Sequence, residues 1–492
     1  MGLIARAGSS PVARISVPCT SPCVTNVPHS TDPTALADAD WQPDSWSRRP
    51  ALQQPKWPDA EALASVQREL SQLPPLVTSW EVEALKEGLA LAARGDAFVL
   101  QGGDCAESFA DCRPSCIADM LKVLLQVSLI LVHGGGKPVV RIGRLAGQYA
   151  KPRSQDLEVR GGQSLPAYRG DNVNRPEFEA SARRPDPTLL LRGHERAALT
   201  LNFVRALAGG GFADLHHPEN WDLEFIANAE LEQEYGRIVH EVREALRFME
   251  SVAGRSIREF AQVEIWTSHE CLVLPLEQAL TRRVPRREGW YNLSTHLPWL
   301  GVRTAARDGA HAEYARGICN PIGIKVGKST SPAQVRELVE FLNPSGERGR
   351  IVLIHRFGAS EIAAGLPPML AAMDGLAAPP TWLCDPMHGN GQSVTASSDA
   401  AAIPVKTRRF DDIAAEAEAA MELHSAAGVP LGGLHLELTG ENVTECVGGA
   451  RRLSESDLAR AYRSHVDPRL NAEQALELAM RLSHRMRSAR GA

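Results

Sequence analysis

The chain has 492 residues, 43% of them hydrophobic, and a formal net charge of −6. That length allows a large buried core in one or two domains, and the slight acidity argues against nucleic acid or an anionic membrane as the main partner. Nine cysteines at irregular spacing, with no CxxC pair, favour a reducing compartment over a disulfide framework.

The first segment in chain order is an N-terminal extension, residues 1–40, which we expect to be disordered. It has no acidic residue before Asp32 and no long apolar stretch, so it does not have the pattern of a secretory signal. The alternative interpretation is a transit peptide. We expect the rest of the chain, residues 41–492, to form one domain.

The most apolar segment is CIADMLKVLLQVSLILVHGGG, at positions 116–136. It is interrupted by Asp119, Lys122 and Gln126, so it contains no run of 18 uncharged apolar residues. We therefore predict a buried helix that begins at Ser115 and ends at Gly134, rather than a membrane span.

Eight short apolar runs alternate with longer helical patterns. They are AFVLQ (97–101), PVVRIG (138–143), VEIWTS (263–268), YNLSTHL (291–297), IGIKVG (322–327), IVLIHR (351–356), TWLCD (381–385) and GLHLELT (433–439). Continuous apolar runs are typical of parallel strands covered on both faces. The pattern predicts an α/β fold, a (β/α)8 barrel with extra helices inserted between the second and third strands; the alternative is an open doubly wound sheet.

Polar or ionisable residues lie at or just beyond the C-terminal end of every one of these runs. In chain order they are Cys105 and Glu107; Arg144, Lys151 and Arg153; His269 and Glu270; His296 and Arg303; Lys325; Arg356; Asp385 and His388; Glu437 and Glu441. In a barrel these strand ends converge, so the repetition predicts one site. The six Arg and Lys residues among them indicate a substrate with more than one acidic group, because guanidinium groups suit phosphate and carboxylate.

A second set offers sulfur, nitrogen and oxygen donors. Cys105, His388, Glu437 and, further on, Asp467 together suit a divalent first-row metal. The alternative role for Cys105 is a nucleophile, with His269, His296 or His388 as its base. We expect the remaining cysteines of the second half, Cys271, Cys319, Cys384 and Cys446, to be buried apolar fillers.

Several long motifs then resemble a known family. GGDCAESF, GRLAGQYAKPRS, YRGDNVN, SHECLVLPLEQALTR, DPMHGN, HLELTGENVTEC and DPRLN resemble, in the family's order, the class II (plant and actinobacterial type) 3-deoxy-D-arabino-heptulosonate 7-phosphate (DAHP) synthases. The resemblance implies a TIM barrel that condenses phosphoenolpyruvate and D-erythrose 4-phosphate with water to give DAHP and phosphate. That reaction is the first step of the shikimate pathway to aromatic amino acids.

The resemblance also implies roles for individual residues. One divalent ion, Mn²⁺ or Co²⁺ first and Zn²⁺ or Cd²⁺ as alternatives, is expected on Cys105, His388, Glu437 and Asp467. Phosphoenolpyruvate is expected at Arg144, Val302, Arg303, Lys325 and Arg356. Erythrose 4-phosphate is expected at Lys151, Arg153 and Ser154, and Lys151 and Lys325 are the expected catalytic residues.

The sequence departs from the family in places. WLGVRT has Val302 where the family usually has an acid, GQSVTASSDAAAIPVKTRRF is longer than expected, and RGHERAALTLN replaces a more usual helix start. These changes suggest altered positioning, and a paralogue that serves secondary metabolism. The expected partners are a second copy of the chain, as a dimer or higher oligomer, and a chorismate mutase. The expected location is the bacterial cytoplasm, or the plastid if residues 1–40 are a transit peptide.

Overall fold

The computed structural model describes residues 41–221, 228–254, 262–396 and 403–491. All the elements below belong to one unit, Gln42–Ala492. The predicted N-terminal extension, residues 1–40, lies outside the described residues, so its disorder stays a prediction.

Eight parallel strands close into a barrel, as predicted. The strands of the described residues are β1 (Phe98–Gly103), β2 (Val139–Arg144), β3 (Leu157–Arg160), β4 (Gln163–Pro166), β5 (Trp266–Glu270), β6 (Thr281–Arg282), β7 (Tyr291–Asn292), β8 (Leu297–Leu300), β9 (Ile322–Val326), β10 (Ile351–His355), β11 (Thr381–Cys384), β12 (Gly391–Ala396), β13 (Ile403–Arg408) and β14 (Gly433–Glu437). The barrel order is β1-β2-β5-β8-β9-β10-β11-β14, and β14 pairs with β1. The other strands form the antiparallel pairs β3–β4, β6–β7 and β12–β13.

Helices follow most barrel strands and cover the outer face. They are α1 (Ala60–Gln72), α2 (Ser79–Ala93), α3 (Pro114–Gly135), α4 (Ala180–Arg183), α5 (Thr188–Gly209), α6 (Ala229–Ala253), α7 (Leu274–Ala279), α8 (Ala310–Arg316), α9 (Pro332–Leu342), α10 (Ile362–Ala371), α11 (Phe410–Ala427) and α12 (Ala472–Gly491). The predicted insertion between the second and third barrel strands contains α4, α5 and α6. Every residue of β1, β8, β9, β10, β11 and β14 is buried, which explains their continuous apolar runs.

The fourth predicted strand is wrong in position. Leu297–Leu300 forms the barrel strand, whereas Tyr291–Asn292 pairs with Thr281–Arg282 outside the barrel. Two apolar runs follow each other here, and only the second can pair with both β5 and β9. The side chain of Asn320 fixes the first run, since it accepts from the N–H of Asn292 at 2.9 Å and donates to the same residue's carbonyl at 2.9 Å.

Because the fourth barrel strand begins at Leu297, His296 lies away from the predicted site. This residue precedes β8, so it lies at the amino end of the strand rather than the carboxyl end. Its Nδ1 accepts from the N–H of Thr267 at 2.9 Å, and its Nε2 lies 3.8 Å from Glu81. His296 is therefore not available as the base of a Cys105 nucleophile.

Helix α3 contains nearly all of the long apolar segment at positions 116–136. It begins at Pro114, with Arg113 as its N-cap, and it ends before Gly136 in the left-handed conformation (φ 60°), so both predicted ends were off by one or two residues. By length and composition this helix could cross a membrane, but 61% of its most apolar 18-residue window is buried within the protein. It packs against α12.

The contact between α3 and α12 depends on a glycine. A Cβ at Gly134 would lie 2.5 Å from the Cα of Ser483, whereas a Cβ at Gly236, in α6, would meet nothing within 4 Å. We expect Gly134→Ala to lower stability by about 1–3 kcal/mol through overpacking. Gly236→Ala, the matched control, should raise it by about 0.5–1 kcal/mol, because alanine restricts the unfolded chain. Denaturant unfolding followed by circular dichroism measures both changes, and an unchanged Gly134→Ala midpoint would contradict the packing argument.

Candidate active site

A cavity of about 630 Å³ lies at the carboxyl ends of the barrel strands. The predicted site residues that line it are Cys105, Arg144, Lys151, Arg153, Ser154, Val302, Arg303, Lys325, Arg356, His388 and Asp467. Glu437, the remaining predicted residue, is fully buried and reaches the same place from β14. The structure thus brings together the residues that the sequence spread over more than 360 positions.

The strand register explains how the centre of this site forms. Gly103, the last residue of β1, is paired with Arg144 of β2 on one side and with Glu437 of β14 on the other. A Cβ at Gly103, whose φ is 144°, would lie 2.7 Å from the carbonyl oxygen of Arg144, so glycine permits this close approach. Arg144 and Glu437 consequently form a buried ion pair of 2.9 Å beneath Cys105.

Three predicted metal ligands converge. One ligand atom each of Cys105, Glu437 and Asp467 lies within 4.8 Å of the others, and the Cys105 Sγ is 3.7 Å from the Asp467 Oδ2. The ammonium group of Lys151 lies among them, 2.7 Å from Asp467, 3.6 Å from Glu437 and in contact with the Cys105 sulfur. One sulfur and two carboxylates around a cation have the chemistry that a divalent transition metal requires.

His388, the fourth predicted ligand, stands beside this group. Its Nε2 is 2.9 Å from the Glu437 Oε1, and its Nδ1 is 2.7 Å from the Asp385 Oδ2. A carboxylate on one ring nitrogen turns the other nitrogen toward a metal, as is common for metal-bound histidines. Asp385 was noted in the sequence only as a polar strand end, and its role in orienting His388 was missed.

The ionisation of these groups also suits a cation. Burial alone opposes ionisation of Glu437, but His388, Lys151, Arg408 and Arg144 outweigh it and hold the pKa of this carboxyl well below its usual range. Burial likewise opposes ionisation of Asp467, yet Lys151 keeps its pKa well below the usual range.

The thiol of Cys105 has a raised pKa, whereas an activated cysteine nucleophile has a lowered one. Burial, reinforced by the negative charge of Glu437, raises the pKa of its thiol to about 12. A thiol with that pKa keeps its proton near neutrality unless a divalent cation displaces it. The arrangement therefore favours the ligand interpretation of Cys105 over the nucleophile interpretation.

The predicted substrate cations Lys325 and Arg356 lie beside His388. Lys325 is buried with its Nζ 3.0 Å from the Asp385 Oδ2, and burial lowers its pKa to about 8 despite that acid. Arg356 donates to the carbonyl oxygen of His388 at 2.9 Å. Arg303 is exposed and donates to the Ser154 Oγ at 2.7 Å, so residues assigned to two different substrates meet here.

Two residues of the site were not predicted, and a third, Glu270, was noted only as one of the polar residues at the strand ends. Lys406 and Arg408, from the β12–β13 hairpin, lie 2.7 Å from Asp467 and 2.7 Å from Glu437, respectively. Glu270, at the end of β5, lines the cavity, and burial raises the pKa of its carboxyl. The signal for Glu270 was its place after an apolar run, but nothing in the sequence pattern aligned the hairpin with the ligands.

Other candidates lie elsewhere. The Nε2 of His269 is 2.9 Å from the Glu277 Oε1, away from the cavity. Glu107 accepts from the backbone N–H groups of residues 146–148, and Glu441 pairs with Arg463. Cys271, Cys384 and Cys446 are buried as predicted, whereas Cys319 is partly exposed, so the filler prediction is wrong for it.

The fold and the site together define an enzyme of the TIM-barrel class whose cavity carries several cationic side chains and a group of side chains that could hold a metal ion. The sequence model of the Class-II DAHP synthetase family matches residues 41–483, and the chain belongs to this family. A Neurospora crassa protein named phospho-2-dehydro-3-deoxyheptonate aldolase is 43% identical over 466 residues, which cover 92% of this chain and 95% of that protein. A Streptomyces coelicolor protein of the same name is 43% identical over 436 residues, covering 89% and 95%. The predicted family and enzyme class are thereby confirmed.

Proposed function

We propose that the chain condenses phosphoenolpyruvate with D-erythrose 4-phosphate and water to give DAHP and inorganic phosphate, with one divalent metal ion. The observation that carries this proposal is the meeting of two chemistries in one cavity. A group of candidate metal ligands, Cys105, Glu437 and Asp467, lies next to His388, and the substrate cations Lys325 and Arg356 contact the same histidine. Two anionic substrates require cationic side chains, and polarisation of an aldehyde requires a metal ion.

The residues present fit a metal. Cys105, Glu437 and Asp467 would hold it, with the Nε2 of His388 as the fourth donor. When bound, a divalent ion supplies Lewis-acid polarisation of the aldehyde oxygen. Mn²⁺ or Co²⁺ suits this mixture of sulfur, nitrogen and oxygen donors, with Zn²⁺ or Cd²⁺ as alternatives.

The chain's own side chains position the two substrates. Arg303, Lys325 and Arg356 hold the phosphate and carboxylate of phosphoenolpyruvate, while Arg153 and Ser154 hold the aldose phosphate. The 2.7 Å contact between Arg303 and Ser154 keeps these two subsites adjacent. Cations at both ends offset the repulsion between the substrates and hold the enol carbon close to the aldehyde.

Lys151 is placed for proton transfer. Burial alone lowers the pKa of its ammonium, but the surrounding Asp467, Cys105 and Glu437 outweigh that effect and raise the pKa. Its Nζ therefore carries a proton at neutral pH, next to the ligand group. When the enol carbon attacks the aldehyde, Lys151 is positioned to donate that proton to the developing alkoxide oxygen.

Phosphate release tests the proposal. The purified enzyme with added Mn²⁺ should liberate inorganic phosphate only when phosphoenolpyruvate and erythrose 4-phosphate are both present. A metal-dependent aldolase of another kind would consume the aldose phosphate without phosphoenolpyruvate, and a binding protein without activity would release no phosphate at all. Either result would overturn the proposal.

Val302 tests how the loop after β8 contributes. It lies between Gly301 and Arg303 and lines the cavity. A carboxylate at this position would repel a phosphate, so the useful group is the backbone N–H, which valine retains. Val302→Glu should therefore change turnover little. Val302→Pro, which deletes the N–H, should raise the KM for phosphoenolpyruvate about tenfold to a hundredfold, the value of one hydrogen bond to a charged oxygen. A gain of orders of magnitude in Val302→Glu would show that the missing acid matters.

The assembly and location of the enzyme are also proposals. The inserted helices α5 and α6 offer surface for a homodimer or higher oligomer, and a chorismate mutase is the proposed protein partner. Sedimentation showing only a monomer at micromolar concentration would contradict the first. A bacterial cytoplasmic location agrees with the free cysteines of the described residues.

A further inference from the structure

A second group of metal-ligand side chains lies outside the cavity. His355, Cys384 and Glu416 are completely buried, and one ligand atom of each lies within 4.8 Å of the others. None of the three lines the candidate active site. The group therefore has no part in the proposed reaction and needs its own explanation.

The fold places these side chains together behind the barrel wall. His355 and Cys384 are register partners on the parallel strands β10 and β11, so they lie on the same face of the sheet. Their chain neighbours Ile354 and Leu383 belong to the cluster that fills the barrel. His355 and Cys384 consequently face outward, where Glu416 of α11 meets them.

The ligand atoms are available. Both ring nitrogens of His355 are buried and have no hydrogen-bond partner among the described residues. Leaving such a polar ring unsatisfied lowers stability, and a bound ion would remove that cost. The Glu416 carboxylate accepts the N–H groups of Phe357 and Gly358 on one oxygen and the Asn390 side chain on the other, so it is oriented but retains lone pairs.

His424 is the candidate for a fourth ligand and stands next to the group of three, outside the set whose ligand atoms lie within 4.8 Å of one another. It lies two turns after Glu416 on the same face of α11, and its ring stacks on that of His355 with centroids 5.5 Å apart. Its Nδ1 is 3.1 Å from the carbonyl oxygen of Val429, to which it can donate. The Nε2 is buried and lacks a hydrogen-bond partner within the described ranges, and it is the nitrogen with a free lone pair.

We propose that His355, Cys384, Glu416 and His424 bind one structural Zn²⁺ ion between β10, β11 and α11. One thiolate and one carboxylate neutralise the two charges of the ion, which makes deep burial tolerable. Two imidazoles complete four ligands, the number that closed structural zinc sites use. Burial raises the pKa of Glu416 to about 7 and that of Cys384 well above its usual value, so binding releases protons and tightens as pH rises.

The ion would restrain two loops of the active site from the outer face of the barrel. Glu416 holds the loop after β10 through Phe357 and Gly358, and it holds the loop after β11 through Asn390. The first loop carries Arg356 and the second carries His388. A metal that fixes Glu416 therefore restrains a predicted substrate cation and a predicted metal ligand at the same time.

Metal counting and cobalt spectroscopy test this proposal. The protein is freed of metal, loaded with Zn²⁺, desalted and analysed for zinc by mass spectrometry. We expect two ions per chain in the unsubstituted protein and one in Cys384→Ser and in His355→Phe, which keeps a ring for stacking but loses both nitrogens. Cys271→Ser, a substitution of another buried cysteine, should retain two.

Co²⁺ spectra distinguish the proposed structural site from the active site without any substitution in the structural site. In a Cys105→Ser background the active site has no thiolate, so a thiolate-to-Co²⁺ charge-transfer band after Co²⁺ loading must come from elsewhere. We expect this band in Cys105→Ser and its loss in Cys105→Ser/Cys384→Ser. One zinc per unsubstituted chain, or no band in Cys105→Ser, would overturn the proposal, and so would a band that survives in the double variant.

Discussion

Removal of divalent metal is expected to abolish turnover, and Mn²⁺ or Co²⁺ to restore it. The reason is the group formed by Cys105, Glu437 and Asp467, whose ligand atoms lie within 4.8 Å of one another beside His388. Cys105→Ser should lower the affinity for the activating metal about a hundredfold or more, because it replaces the sulfur ligand. The measurement is phosphate release against added metal concentration after treatment with a chelator.

A matched cysteine controls for general damage. Cys271 is buried to the same degree as Cys105, at 1% exposure each, but lies outside the cavity lining. Cys271→Ser should keep the metal dependence of the unsubstituted enzyme. Full turnover in the presence of excess chelator would refute metal dependence, and an unchanged metal requirement in Cys105→Ser would remove Cys105 from the ligand set.

Lys325→Met is expected to lower kcat/KM by about a hundredfold to ten-thousandfold, the range for loss of one positioned proton-transfer or charge-stabilising group. Lys325 is buried, lines the cavity, and has its Nζ 3.0 Å from Asp385 and 3.5 Å from the Nδ1 of His388. Methionine keeps most of the side-chain volume but removes the charge. Steady-state kinetics with both substrates varied would separate a role in binding phosphoenolpyruvate from a role in stabilising developing charge.

The distribution of the loss between kinetic constants is informative. If Lys325 only holds phosphoenolpyruvate, the KM for that substrate rises and kcat changes little; if it also stabilises developing charge, kcat falls as well. Lys328→Met is the control, since Lys328 lies three residues further on and is exposed. Equal, small effects of the two substitutions would show that Lys325 has neither role.

Much of the fold was predictable because its signals are local. Six of the eight apolar runs overlap barrel strands over most of their length, and the third overlaps β5 over half of its length, since a parallel strand covered on both faces must be apolar throughout. The strand predicted from the fourth run was wrong for the same reason. YNLSTHL and the following LPWL are both apolar, and local pattern cannot say which of them will pair with β5 and β9.

Part of the site was predictable because a barrel converts order along the chain into convergence in space. Cys105 follows an apolar run, Lys325 lies near the end of one and Arg356 ends another. Their place at one end of the barrel therefore follows from the fold class alone. His296 shows the limit of this rule. The barrel strand begins six residues later than predicted, so this histidine lies at the amino end of the strand and not at the carboxyl end.

The sequence by itself determined the barrel, the family and the kinds of groups in the cavity, because strand length, apolar runs and motifs are properties of short segments. Only the tertiary structure decided which groups touch. It placed Lys151 among the ligands, brought Arg408 from the hairpin onto Glu437, and set His355 beside Cys384 behind the barrel wall. Such contacts depend on strand register and on helix packing across hundreds of residues, and no local pattern encodes either.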